Sequence, residues 1–180
     1  MKNCRVFGLV LLATAVVCGS VFAASQEEMR AQEELQAWYG KIVDSYRTKD
    51  VEAYMALFTQ DIKMRDLQGK TKDRKALKAY AKEDMAATGE IHSATFEIGK
   101  LTLKGHEATV AGTETWKYVF TDLKGQFGPK GKSYDVVWHS PAQCKFLKTS
   151  RRWLEKYRQV TGPETLTAGG KPLVPLAESK

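Results

Sequence analysis

The chain has 180 residues, 43% hydrophobic and 27% charged, with a formal net charge of +7. That suits one domain with a sizeable core. The lysines are spread along the whole length instead of clustering with aromatics, which excludes a nucleic-acid surface and leaves a solvated basic surface, or weak attraction to anionic envelope polymers and lipid head groups.

The first residues read as a secretory leader. Lys2 and Arg5 give a positive start, Val6 to Val17 is apolar, and Val21-Phe22-Ala23 presents small residues where a signal peptidase cuts, so cleavage is expected after Ala23. The run is too short for a transmembrane helix, and no other run could span a bilayer. An alternative, lipidation at Cys18, is disfavoured by Val17, where Gly or Ala would be expected. The expected location is periplasmic or extracellular. Losing Lys2 and Arg5 takes the basic residues from 28 to 26 against 21 acids, so the mature charge is +5. Cys4 and Cys18 leave with the leader. Cys144 alone forms no internal disulfide and reads as a small buried apolar group.

Ser25 to Glu28 has the form of a helix capping box. Leu35, Trp38, Tyr39, Ile42, Val43 and Tyr46 then recur at helical spacing. Asp50 is placed to cap a short second helix, with Val51, Tyr54, Met55 and Phe58 on one face. After Asp61 the period changes to two. Ile62, Met64 and Asp66 alternate with Lys63, Arg65 and Leu67 in a strand of about Asp61–Leu67, ended by Gly69. Asp73 opens a third helix with Leu77, Tyr80, Ala81 and Met85 inward, and Gly89 is a natural C-terminal stop. From Ile91 the pattern is sheet. A strand of about Ile91–Leu103 changes parity at Gly99, which predicts a bulge, and Ala108–Thr121 alternates well. Asp122–Lys132, with three glycines and a proline, reads as a long mobile hairpin loop. In Ser133–Lys148, Pro141 marks a bulge or an edge. Arg152–Val160 puts Trp153 and Tyr157 on one face beside Glu155. Gly162-Pro163 closes the domain, and residues 163–180 read as a flexible tail.

The long amphipathic helix, the pattern KDVEAYMALFTQDI from Lys49 to Ile62, and a strand ending in Asp66-x-x-Gly69 together resemble the nuclear transport factor 2-like superfamily, in its SnoaL-like branch. The resemblance covers roughly Gln32 to Thr161. It implies an α+β fold in which a strongly curved antiparallel sheet wraps a long N-terminal helix and two shorter helices into a cone with an internal pocket. It implies no single activity, because members include isomerases, cyclases, dehydratases, hydrolases and non-enzymatic domains.

Asp66 is the first candidate for chemistry. In the ketosteroid-isomerase relatives the general base occupies the D of such a D-x-x-G, and a carboxylate facing an apolar pocket would have a raised pKa. The bland alternative is that Asp66-Leu-Gln-Gly69 is a type I turn. The rest of that isomerase site is missing: its oxyanion tyrosine falls at Ile42, and its second acid falls near Gln143 or Cys144. Without those donors a developing enolate is not stabilised. Glu114, an acid in an apolar strand face, either pairs with a basic residue across the sheet or projects into the pocket. His139 is either exposed and hydrogen-bonded or an aid to Asp66. Trp38, Tyr46, Tyr54, Trp116, Tyr118 and Trp153, with Glu114, are the expected pocket set. Three scattered histidines give no metal signal and no cofactor is expected.

Three readings follow. The first is an exported domain that binds a small, mostly apolar molecule or serves as a dimerising interaction module. The second is a purely structural interaction module, as a homodimer. The third is a lyase, isomerase or hydrolase with Asp66 as general acid or base.

Overall fold

The computed structural model describes the backbone of residues 14–173 and the side chains of residues 26–173. Most of the expected leader and the end of the tail therefore lie outside the described residues. Helix α1 spans Thr14–Thr48. It continues through Ser25, so the capping box expected there does not start a helix in this chain; the alanines at 23 and 24 are strong helix formers and carry it upstream. Its apolar stripe is buried as expected, from Leu35 through Tyr46.

Lys49, at φ 57°, turns the chain out of α1. Asp50 then caps α2 (Val51–Met55), accepting from the Ala53 amide at 2.9 Å. Strand β1 spans Phe58–Arg65 and begins three residues earlier than its alternation predicts. A turn at Asp66–Gly69 leads to β2 (Thr71–Lys72), and Asp73 caps α3 (Arg74–Ala87). Leu77, Ala81 and Met85 of α3 are buried, whereas Tyr80, expected inward, is 49% exposed. The α3 stop is also not as expected: Thr88 is the C-cap and passes directly into β3 (Thr88–Lys104). Gly89 is thus a strand residue, in a place where a Cβ would lie 3.1 Å from that of Val119. Its small size admits the neighbouring strand; it does not supply a left-handed stop.

Strands β4 (Glu107–Thr121), β5 (Ser133–Lys148) and β6 (Trp153–Val160) complete the wall, with β7 (Thr165–Ala168) and β8 (Lys171–Pro172) after them. The sheet order is β2-β1-β6-β5-β4-β3, with β7 on β5 and β8 on β7. All pairings are antiparallel except β1 with β6. The result is an α+β fold, a large curved and unclosed sheet around the helices.

Three local features shape this wall. The register shift between Ile98 and Lys100 is the bulge predicted at Gly99. Pro141 lies where β5 changes neighbours, from β7 at residues 136–139 to β6 from Ala142 onwards, with no break in its pairing to β4. Its carbonyl accepts from Thr161 on that side. A strand residue directs N–H and C=O to the same neighbour, so the missing N–H falls at this junction and costs little. The third feature is the segment 122–132, which is not the mobile loop expected. Asp122 is 1% exposed and accepts from the Gln126 and Phe127 amides at 2.9 and 2.7 Å. Phe127 packs edge-on against Phe120.

The tail also departs from expectation as far as it is described: β7 and β8 form a hairpin that extends the sheet. Thr165, Thr167 and Leu166 supply the strand-forming residues and Gly169-Gly170 the turn, both at positive φ. Among the described residues, no helix is long and apolar enough to cross a membrane.

Candidate functional site

The concave side of the sheet, α1 and α3 enclose a partly open cavity of ≈ 200 Å³. Three groups of side chains line it. Tyr46 and Tyr54 come from α1 and α2, and Trp116, Tyr118 and Trp138 from β4 and β5. The rings of Tyr46 and Trp116 lie 5.1 Å apart, those of Tyr46 and Tyr54 5.7 Å, and those of Trp116 and Tyr118 6.5 Å, so the aromatic wall is continuous. Strand alternation produces it: Glu114, Trp116 and Tyr118 point the same way, and their partners across β5 are Ser140, Trp138 and Val136.

The second group is a buried ion triad. Arg158 makes a two-point contact with Glu155, at 2.9 and 3.2 Å, and a third bond to Glu114 Oε1 at 2.5 Å. Glu155 is fully buried and Glu114 5% exposed. Burial opposes the charge on Arg158, but the two carboxylates outweigh it and hold the guanidinium protonated. Burial likewise pushes the Glu114 carboxyl above the usual range, only partly offset by Arg158. Two carboxylates share one cation, so the triad does not satisfy both in full. Arg158 bonds Glu114 through Oε1, and among the described residues the buried side-chain polar atoms without a partner are Tyr39 Oη, Thr59 Oγ1 and Trp116 Nε1, the last on a residue that lines the cavity. Both sequence alternatives for Glu114 therefore hold together: it pairs across the sheet and it lines the cavity.

The third group is Asp84 on α3. It accepts a hydrogen bond from the Tyr46 hydroxyl at 2.7 Å, through Oδ2. Burial raises its pKa, against the lowering effects of that bond and of the Lys49 ammonium. The charge on Asp84 raises the pKa of Tyr80. Lys49 itself donates to the Thr88 carbonyl and forms no ion pair with Asp84.

The residues singled out in the sequence fall in different places. Tyr46, Tyr54, Glu114, Trp116 and Tyr118 line the cavity. Asp66 lies at its edge, but its Oδ1 accepts from the Lys70 amide at 2.7 Å and its carbonyl from Gly69 at 3.0 Å. The carboxylate is held by the turn. Trp38 is outside the cavity, in the core against Phe58 and Phe146, with its indole N–H bonded to the Leu57 carbonyl. Trp153 is also outside, bonded to Glu34 at 2.8 Å. Both bridge α1 to the strands behind the cavity. His139 is exposed and bonded to Thr115 at 2.9 Å, on the face of β5 opposite Trp138 and Ser140, so it does not meet Asp66 in a common site.

Asp84 and Arg158 were missed by the sequence reading. The signal for Asp84 was the helical spacing Leu77, Tyr80, Ala81, Asp84, which puts the acid on the inward edge of α3. For Arg158 no simple signal exists. Parity sets it opposite Glu155, but a register shift between Lys145 and Phe146 puts a bulge in β6 and brings Arg158 round to the inner face. Among the described residues, no cluster of His, Cys, Asp and Glu could hold a metal ion.

No protein-family model matches this chain, and no curated protein does. Solved structures do match. A conserved protein from Planctomyces limnophilus superposes with a TM-score of 0.57 at 13% identity, covering 77% of this chain and 99% of that one. A nuclear transport factor 2-like protein from Cytophaga hutchinsonii gives 0.52 at 11%, covering 76% and 97%. A putative calcium/calmodulin-dependent kinase II association domain from Exiguobacterium sibiricum gives 0.53 at 15%, covering 74% and 95%.

Proposed function

From the premise that this chain has the nuclear transport factor 2-like fold, we propose that it is an exported domain that binds a small molecule in the cavity between sheet and helices. The observation that carries this reading is the cavity itself, a continuous aromatic wall with carboxylates at Glu114 and Asp84. Ligand pockets have this make-up, apolar with a few convergent polar groups. A filled cone would have left no room for a ligand. An enzymatic role for Asp66 is weakened by its commitment to the Lys70 amide. Homodimerisation draws support from the association domain among the structural matches.

Native mass spectrometry of the protein isolated from its own host's envelope tests the reading. The expected polypeptide mass is that of Ala24–Lys180, with an additional bound organic mass. An uncleaved chain overturns export. A cleaved protein whose cavity stays empty after incubation with a small-molecule library overturns the binding role and leaves the interaction module.

A further inference from the structure

A second concavity lies on the other flank of α3. An open groove of ≈ 800 Å³ separates α2 from α3. Its floor is apolar, made by half-buried Val51, exposed Ala79 and Ala86, and buried Met85. Its rim holds Lys49, Lys75, Lys78 and Lys82 against one acid, Glu52. We propose that this groove docks an acidic amphipathic helix of a partner protein, with the partner's apolar face on Val51, Ala79 and Ala86 and its carboxylates on Lys75 and Lys82.

The lysines call for an anion. Lys75, Lys78 and Lys82 recur at i, i+3 and i+7 and share one exposed stripe of α3. Like charges at this spacing repel. Lys75 also stands in the first turn, where the helix dipole disfavours a cation and α3 has no acid. Arg74, beside it, is accounted for by the Met55 and Thr59 carbonyls. Lys78 pairs with Glu52, and the Lys49 ammonium is held by the Thr88 carbonyl. Lys75 and Lys82 have no ion pair among the described residues.

The other acids around the groove are engaged. Asp50 and Asp73 cap α2 and α3 through their side chains, Glu83 pairs with Lys124, and Asp84 takes the Tyr46 hydroxyl. The stripe thus breaks the charge preferences of its own helix with one compensation inside the chain. An anion from outside supplies the rest.

Shape selects the class of anion. Lys75 and Lys82 lie two turns apart, about 10 Å along the helix, a spacing that matches acids two turns apart on a second helix alongside. A bilayer surface is flat; it reaches the lysines and leaves the floor uncovered. A helix lying in the groove meets both. Its apolar stripe fills the floor, where the alanines leave room for larger side chains, and the acids along one edge meet the lysines.

The test is a photocrosslink in the protein's own host. p-Benzoylphenylalanine is encoded at Ala79 of the full chain, and the crosslinked peptide is sequenced. The expected adduct is to a segment of another protein with an apolar stripe at helical spacing and acids along its edge. Lys75→Glu combined with Lys82→Glu sets like charges against each other and should cut the adduct at least about tenfold. The same reversal removes repulsion within α3, so the double variant should melt no earlier than the wild type. If it fails to fold, Lys75→Gln with Lys82→Gln carries the test, with the adduct again reduced. No protein adduct overturns the proposal. So does an adduct to lipid, to a second copy of this chain or to a segment without acids, or one that survives loss of both lysines. None of these outcomes bears on the cavity, which has its own test.

Discussion

At the scale of single residues, the cavity's acids tie its chemistry to stability. Burial holds Asp84 and Glu114 above the ordinary carboxylate range, so each binds its proton more tightly folded than unfolded. Above about pH 4 the unfolded state releases protons that the folded state still holds, so the stability these groups contribute is fully present below that pH and lost as pH climbs through their raised values. Asp84→Asn removes one of the two titrations. Thermal melts between pH 4 and 7, as about the range concerned, should show the wild type losing ground to Asp84→Asn as pH rises. Parallel curves would mean that Asp84 is solvated in the folded protein. Among residues, spacing was enough to find Tyr46, Tyr54, Trp116 and Tyr118, because a helix face or a strand face is a local property. It was not enough for Trp38 and Trp153, which share those faces but lie further along their elements, where the sheet packs directly on α1.

At the scale of elements, the wall depends on a close approach of two strands. A Cβ built on Gly112 would lie 2.5 Å from the Glu97 carbonyl oxygen and 2.8 Å from the Phe96 ring. Gly112 pairs with Ile98, just before the register shift at Gly99. Gly112→Ala should therefore destabilise the protein by about 1–3 kcal/mol, the usual cost of overpacking, measured by urea denaturation. A neutral substitution would show that β3 and the Phe96 ring can move aside. The elements themselves were largely legible, since hydrophobic period, caps at Asp50 and Asp73 and the break at Gly99 are local signals. What misled was turn composition. Glycines and a proline in 122–132 suggested mobility, whereas the buried Asp122 ties the segment with backbone amides that outweigh the effect of burial and hold its carboxyl below the usual range. An Asp followed by glycines gives the same local sequence signal whether its side chain turns in or out.

At the scale of the whole molecule, the hairpin after Gly162 belongs to the fold. β7 covers the edge of β5 at Val136–His139, and Glu164, just before it, reaches the cavity mouth. A chain ending at Gly162 exposes that edge, and exposed edges pair with other chains. Four residue pairs are lost, at about 0.5–1.5 kcal/mol per hydrogen bond. The truncated protein should melt earlier and associate in size-exclusion chromatography with light scattering. An unchanged melting temperature together with an unchanged mass would make β7 an appendage.

The sequence by itself determined the order of helices and strands, the face each would bury, and hence the fold class, because these follow from period, capping and turn residues within a few positions of one another. Only the tertiary structure decided the site. The bulge in β6 turned Arg158 inward, α3 delivered Asp84 to Tyr46 from 38 residues away, and the turn claimed Asp66 for the Lys70 amide. Each of these depends on where two distant segments meet, and a carboxylate's neighbours across that gap decide its charge and what it can hold.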